Sequence, residues 1–175
     1  MADPVEKMYD LLDTITSLGF ECKSDSELIQ LADKLFAHCT AHRLRLPPSE
    51  YTKVLYYRER AYLNTMRYVE ALKDIHEWLA MYSKCQAGLL TAQDVFGEIW
   101  TMLMDAGKAH SGIGDIHGAI KMFCEAFKFA EQRRVQERLG TELGLILART
   151  ENPRVLLQQI PNPDLAREVK EQMRW

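Results

Sequence analysis

Val5, Met8, Leu11, Leu12, Ile15 and Leu18 recur at every third or fourth position. That spacing lines them up along one stripe of a helix and would scatter them over both faces of a strand. The same period returns in Leu28, Leu31, Ala32, Leu35, Phe36 and Cys39, and again in Leu72, Ile75, Leu79 and Met81 or Tyr82. Alternating Val, Ile and Thr, the mark of a half-buried strand, is nearly absent. The chain is therefore expected to be all-α, with no sheet.

Caps and breakers divide the helical pattern. Asp3 precedes Pro4 as an N-cap before a proline at the first helical position, and Gly19 supplies a C-terminal stop. Ser24 with Glu27 forms a capping box that opens a second helix, which fades near His42 before the prolines of "RLRLPP". Further helices are expected from about Ser49 to Thr65 and from about Val69 to Lys84. Thr91 caps a fifth that reaches about Ser111, and Asp115 caps a sixth to about Glu131. A seventh covers Val135 to Arg149 and ends at "TENP"; a short eighth and a ninth, starting at "NPDLAREVKEQM", complete the chain. Short connections make neighbouring helices antiparallel.

Two windows share a pattern. When "RAYLNTMRYVEALKDIHEWL" is laid on "GKAHSGIGDIHGAIKMFCEAF" with Ala71 on Ala119, Tyr62 falls on His110, Tyr68 on Ile116, Ile75 on Phe123 and Trp78 on Ala126. Glu59 falls on Gly107 and Met66 on Gly114. Small residues stand where helices approach closely, and large ones fill the wedge between them. This pattern resembles the tetratricopeptide repeat, with Gly114 at the turn and Ala119 and Ala126 at the two small positions. Leu139-Gly140 followed by Leu143 looks like the first helix of a further repeat. The spacing departs from the family: Ala71 to Ala119 is 48 residues, against a family period of about 34. The surplus lies in "SKCQAGLLTAQDVFGE", read as a loop plus an N-terminal extension of the fifth helix.

The resemblance implies a single domain over residues 1–175. A degenerate hairpin occupies 1–46, clearer repeats 49–150, and a cap 151–175. In the cap, Leu165 and Val169 point inward and Arg167, Glu168, Lys170 and Glu171 outward. Stacked hairpins of this family form a short right-handed solenoid whose concave groove receives a peptide or helix of another protein. Carried over to matching positions, the groove is lined by Lys53, Tyr56, Tyr57, Arg60 and Asn64, and by Thr101, Met104, Asp105, Lys108 and Ser111. Tyr and Arg are residue types that dominate binding energy at interfaces. One subgroup of the family clamps a chaperone's terminal carboxylate. Here Tyr57 replaces its middle Asn, and Thr101 and Asp105 replace its Lys and Arg, so no such clamp is expected.

Other function classes find little support. The formal net charge of -3 supplies no field for nucleic acid or an anionic membrane, and in "EQRRVQER" glutamates offset the arginines. No run of apolar residues is long enough to cross a bilayer. "MADPVEK" lacks the pattern of a signal peptide, so a cytoplasmic location is expected. Cys22, Cys39, Cys85 and Cys124 are widely spaced and expected to be free, buried thiols. His38 and His42 lie one turn apart, but further ligands are not visible nearby, so no metal site is expected. "GIGDIHG" joins helix to helix and lacks the strand that a dinucleotide cradle needs. No catalytic residue and no cofactor is assigned. Trp78 is expected in the core, Trp100 in core or contact, and Trp175 either docked on the last helix or free to enter a partner's pocket. The leading function is a protein-interaction adaptor; the alternative is a dedicated chaperone for a single client, and the third is a subunit of a helical enzyme complex.

Overall fold

The computed structural model describes residues 3–21 and 24–173. Among them it contains helices and no strand: α1 (Pro4–Glu21), α2 (Asp25–His42), α3 (Pro48–Asn64), α4 (Tyr68–Gln86), α5 (Ile99–Gly112), α6 (Ile116–Phe127), α7 (Arg133–Leu147), α8 (Pro153–Gln158) and α9 (Pro163–Met173). A single 3-10 turn, Ala92–Asp94, lies between α4 and α5. Trp175 and Cys22 lie outside the described residues. The helices group into two compact units, Met1–Gly97 and Glu98–Trp175. The boundary between them falls inside the 49–150 stretch that the resemblance treats as one run of repeats.

Asp3, Ser24 and Asp115 act as N-caps, as the sequence indicates. The Asp3 carboxylate accepts from the Val5 amide at 2.9 Å, Ser24 Oγ from Glu27 at 3.4 Å, and Asp115 from Gly118 at 2.8 Å. In the first unit, α3 packs on α1, α2, α4 and the 3-10 turn. Met8, Leu11, Leu12, Ile15, Ala32, Leu35, Cys39 and Val54 form the core where α1 and α2 meet α3. In the second unit, α5 pairs with α6 and α7 with α9.

The α3–α4 and α5–α6 corners are built alike, 48 residues apart. Thr65, Met66 and Arg67 amides donate to the Ala61, Leu63 and Tyr62 carbonyls. Ile113, Gly114 and Asp115 donate to Ala109, Ser111 and His110 in the same pattern. The central residue is left-handed in both, with φ 59° at Met66 and 85° at Gly114. Beyond the corner, Ala71 and Ala119, Ile75 and Phe123, and Trp78 and Ala126 are all fully buried. Gly107 gives Phe123 its place, since a Cβ there would stand 2.6 Å from the ring. Its counterpart Glu59 is nevertheless buried.

Several expectations are corrected. The fifth helix begins at Ile99, with Glu98 as its N-cap residue, not at Thr91. Thr91 caps only the 3-10 turn, where the Asp94 carboxylate accepts from both its amide and its hydroxyl. Gly19 does not stop α1, which continues to Glu21; the residue is small because the Tyr57 ring lies on it, where a Cβ would come within 2.4 Å. The sixth helix closes at Phe127, because tighter bonds from Phe129 to Ala126 and from Ala130 to Phe127 replace the helical pattern. On α2 Ile29 is buried, whereas Leu31 and Phe36 are half-buried; on α4 Leu72 and Leu79 are half-buried and Asp74 is buried. Cys39 and Cys124 are buried free thiols, and Cys85 is half-buried. Glu168 faces inward: it packs on Gly140 of α7 and accepts from Arg133.

Candidate functional site

In the first unit the structure brings together four of the residues singled out on α3. The Tyr56 and Tyr57 rings meet edge-on at 5.8 Å, and each contacts Phe96, at 5.3 and 5.6 Å. The Arg60 guanidinium covers Tyr56 at 4.9 Å, and Lys53 Nζ stands 5.9 Å from the Phe96 ring centre. Lys53 is also held by Glu50 at 2.9 Å. The three rings and both cations are half-buried, each presenting part of its surface to solvent. Asn64 is exposed at the end of the helix and donates to Asp25 at 3.3 Å.

The backbone explains how Phe96 reaches this cluster. The Thr52 hydroxyl, buried on α3, accepts from the Phe96 amide at 2.9 Å. It lies 3.3 Å from the Asp94 carbonyl, and the Trp78 indole donates to the Phe96 carbonyl at 2.8 Å. These bonds occupy backbone groups that a continuing helix would use, and Gly97, at φ 99°, turns the chain beyond them. A Cβ on Gly97 would stand 2.8 Å from the Tyr56 ring. The cluster thus rests on Gly19 under Tyr57 and Gly97 under Tyr56. The sequence reading missed Phe96, because it assigned the segment to a loop and a helical extension. The available signal was an aromatic residue beside a glycine just before a helix.

The second unit places its predicted residues differently. Thr101, Met104 and Asp105 are buried by the protein itself, so their side chains present almost no surface. Lys108 is half-buried and bridges two carboxylates, Asp105 at 3.5 Å and Glu142 at 3.3 Å. Ser111 is half-buried at the end of α5. Trp100 is half-buried beneath the Arg138 guanidinium, 5.7 Å from its ring centre.

The histidine pair has a structural use. His38 Nε2 lies 2.8 Å from the Pro4 carbonyl, tying α2 to the start of α1. The His42 ring leans against it at 4.5 Å. Among the described residues, no three His, Cys, Asp or Glu side chains gather at metal-binding distance. Among the described residues, no helix is long and apolar enough to cross a membrane. The sequence matches no known family model, and no match was found among curated proteins or solved structures.

Proposed function

We propose that this chain is a protein-interaction module built from tetratricopeptide-like hairpins, which receives a peptide or helix of its partner on the exposed face of α3. The observation that carries the reading is the gathering of Lys53, Tyr56, Tyr57 and Arg60 around Phe96. Rigid aromatic surface flanked by cations is the composition of an interaction hot spot: rings contribute apolar area at small entropic cost, and cations meet carboxylates. The matched corners at Met66 and Gly114 and the buried Ala71 and Ala119 support the repeat reading.

The test is affinity capture from source-cell lysate by the wild-type chain and by a Lys53→Glu/Arg60→Glu variant. Both side chains are partly solvent-exposed, so the variant is expected to fold, which circular dichroism checks. A partner held by the wild type and lost from the variant supports the α3 face. Equal capture by both moves the site elsewhere.

A further inference from the structure

A second feature of the first unit lies on the opposite side of α3. Tyr51 and Arg58 are two helical turns apart and share one side, while Lys53, Tyr56, Tyr57, Arg60 and Asn64 occupy the other. Tyr51 and Arg58 line an open cleft of about 570 Å³ together with Phe36, Cys39 and Thr40 of α2, the segment from Arg43 to Leu46, and Glu77 of α4.

The charges of this cleft divide into satisfied and available groups. Arg58 is spent internally: it binds both oxygens of the buried Asp74 at 2.7 Å and Asp33 at 2.7 Å. Glu77 accepts from the Tyr51 hydroxyl. Burial and that bond together push the Tyr51 phenol well above its ordinary range, so it remains a donor. Arg43 and Arg45 are exposed, and neither has a carboxylate within ion-pair distance among the described residues.

The backbone explains how two cations stand there unpaired. Arg43 closes α2 in the left-handed conformation, φ 54°, and its amide and that of Leu44 donate to carbonyls of the last turn. A helix C-terminus favours cations without any carboxylate beside it. Beyond the corner, residues 44–47 take no regular secondary structure. Leu44 and Leu46 pack half-buried against the core, and Arg45 between them is exposed. The cleft therefore offers the partly covered apolar surfaces of Phe36, Leu44 and Leu46 beside two available guanidiniums. Glu77 is the one carboxylate in its lining, and it is already engaged.

We infer that this cleft binds an acidic, apolar peptide segment of a partner, with carboxylates on Arg43 and Arg45 and aliphatic or aromatic side chains over Phe36, Leu44 and Leu46. Guanidinium forks match carboxylates in geometry as well as charge. Charge complementarity selects an acidic segment over a basic one. The site is separate from the aromatic face of α3 and does not depend on it.

The test uses fluorescence anisotropy with three short labelled peptides, of alternating Glu and Leu, Glu and Ser, and Lys and Leu. Each is titrated with the wild type, with Arg43→Gln/Arg45→Gln and with Lys53→Glu/Arg60→Glu. The Glu–Leu peptide is expected to bind best and to lose at least about tenfold in affinity to the Arg43/Arg45 variant, more than it loses to the Lys53/Arg60 variant. Methyl resonances of Leu44 and Leu46 shift on binding. The proposal is overturned if the Glu–Leu peptide does not bind, if the Lys–Leu peptide binds equally, or if the Arg43/Arg45 variant, folded by its methyl spectrum, binds unchanged.

Discussion

The Trp78 indole N–H donates to the Phe96 carbonyl at 2.8 Å, and the amide of the same residue is held by the Thr52 hydroxyl. Two consecutive helices, α3 and α4, thereby hold the amide and the carbonyl of one residue. Past its 3-10 turn, the strap from Thr91 to Gly97 is held to α3 and α4 by side-chain bonds.

Thr52→Val keeps the side-chain shape and removes the hydroxyl. The Phe96 amide then loses its partner in a place that water reaches poorly. The expected cost is about 1–3 kcal/mol of unfolding free energy, read by chemical denaturation. Hydrogen exchange at the Phe96 amide should accelerate more than that of the α1 amides. Unchanged exchange would show that the Thr52 hydroxyl does not hold the strap.

Met66 occupies a left-handed corner that glycine fills at the equivalent Gly114, and its side chain is 74% exposed. Met66→Gly relieves backbone strain at the cost of added freedom in the unfolded chain. A net gain of about 0.5–1 kcal/mol is expected. Gly114→Met should lose a similar amount. Thermal midpoints of the two variants shifting in the same direction would refute the equivalence of the corners.

Arg58→Met removes the fork from a buried carboxylate. Burial pushes the Asp74 carboxyl upward, and the Arg58 guanidinium opposes that rise. Without it the site must hold an unpaired charge or take up a proton, at an expected cost of about 3 kcal/mol. Adding Asp74→Asn to Arg58→Met should recover part of the loss in a double-mutant cycle. Purely additive effects would argue against direct coupling.

Gly140 lets α7 and α9 touch. A Cβ there would stand 2.6 Å from Glu168 Cβ and 3.1 Å from the Glu168 backbone carbonyl carbon. Gly140→Ala should destabilise the second unit by about 1–3 kcal/mol, despite alanine's better helix propensity. A rise in the thermal midpoint would mean that α9 moves aside without cost.

Asp115 caps α6, and its bonds from the Gly118 amide and His110 hold the carboxyl below the ordinary aspartate range. The unfolded chain therefore takes up the proton first as pH falls. The cap's charge-dependent contribution is fully present above the ordinary aspartate range, near pH ~3.9. It is lost as pH falls through the lower folded value. Asp115→Asn does not titrate there, so the difference in midpoint between wild type and variant should shrink on acidification. A constant difference down to acid unfolding would exclude this linkage.

Helices and caps were legible because their signals are local: Asp3, Ser24 and Asp115 each act within one turn. The paired corners were legible too, through a 48-residue offset that the hydrogen bonds reproduce residue by residue. What lay beyond reach depends on partners distant in sequence. Gly19 reads as a helix stop until the Tyr57 ring is found on it. Glu168 reads as solvated until Gly140 is found beneath it and Arg133 beside it. On α5, a family correspondence assigned Thr101, Met104 and Asp105 to an open face, but their burial depends on what surrounds the helix. On α3 the same correspondence found Lys53, Tyr56, Tyr57 and Arg60, but not the aromatic ring that gathers them.

The hydrogen bonds that hold residue 96 are made through its main-chain amide and carbonyl. Those atoms are common to every amino acid but proline, so the ring they display is a replaceable tip in a fixed holder. A different side chain at this one position would change what the surface prefers to touch while the clasp that presents it stayed the same.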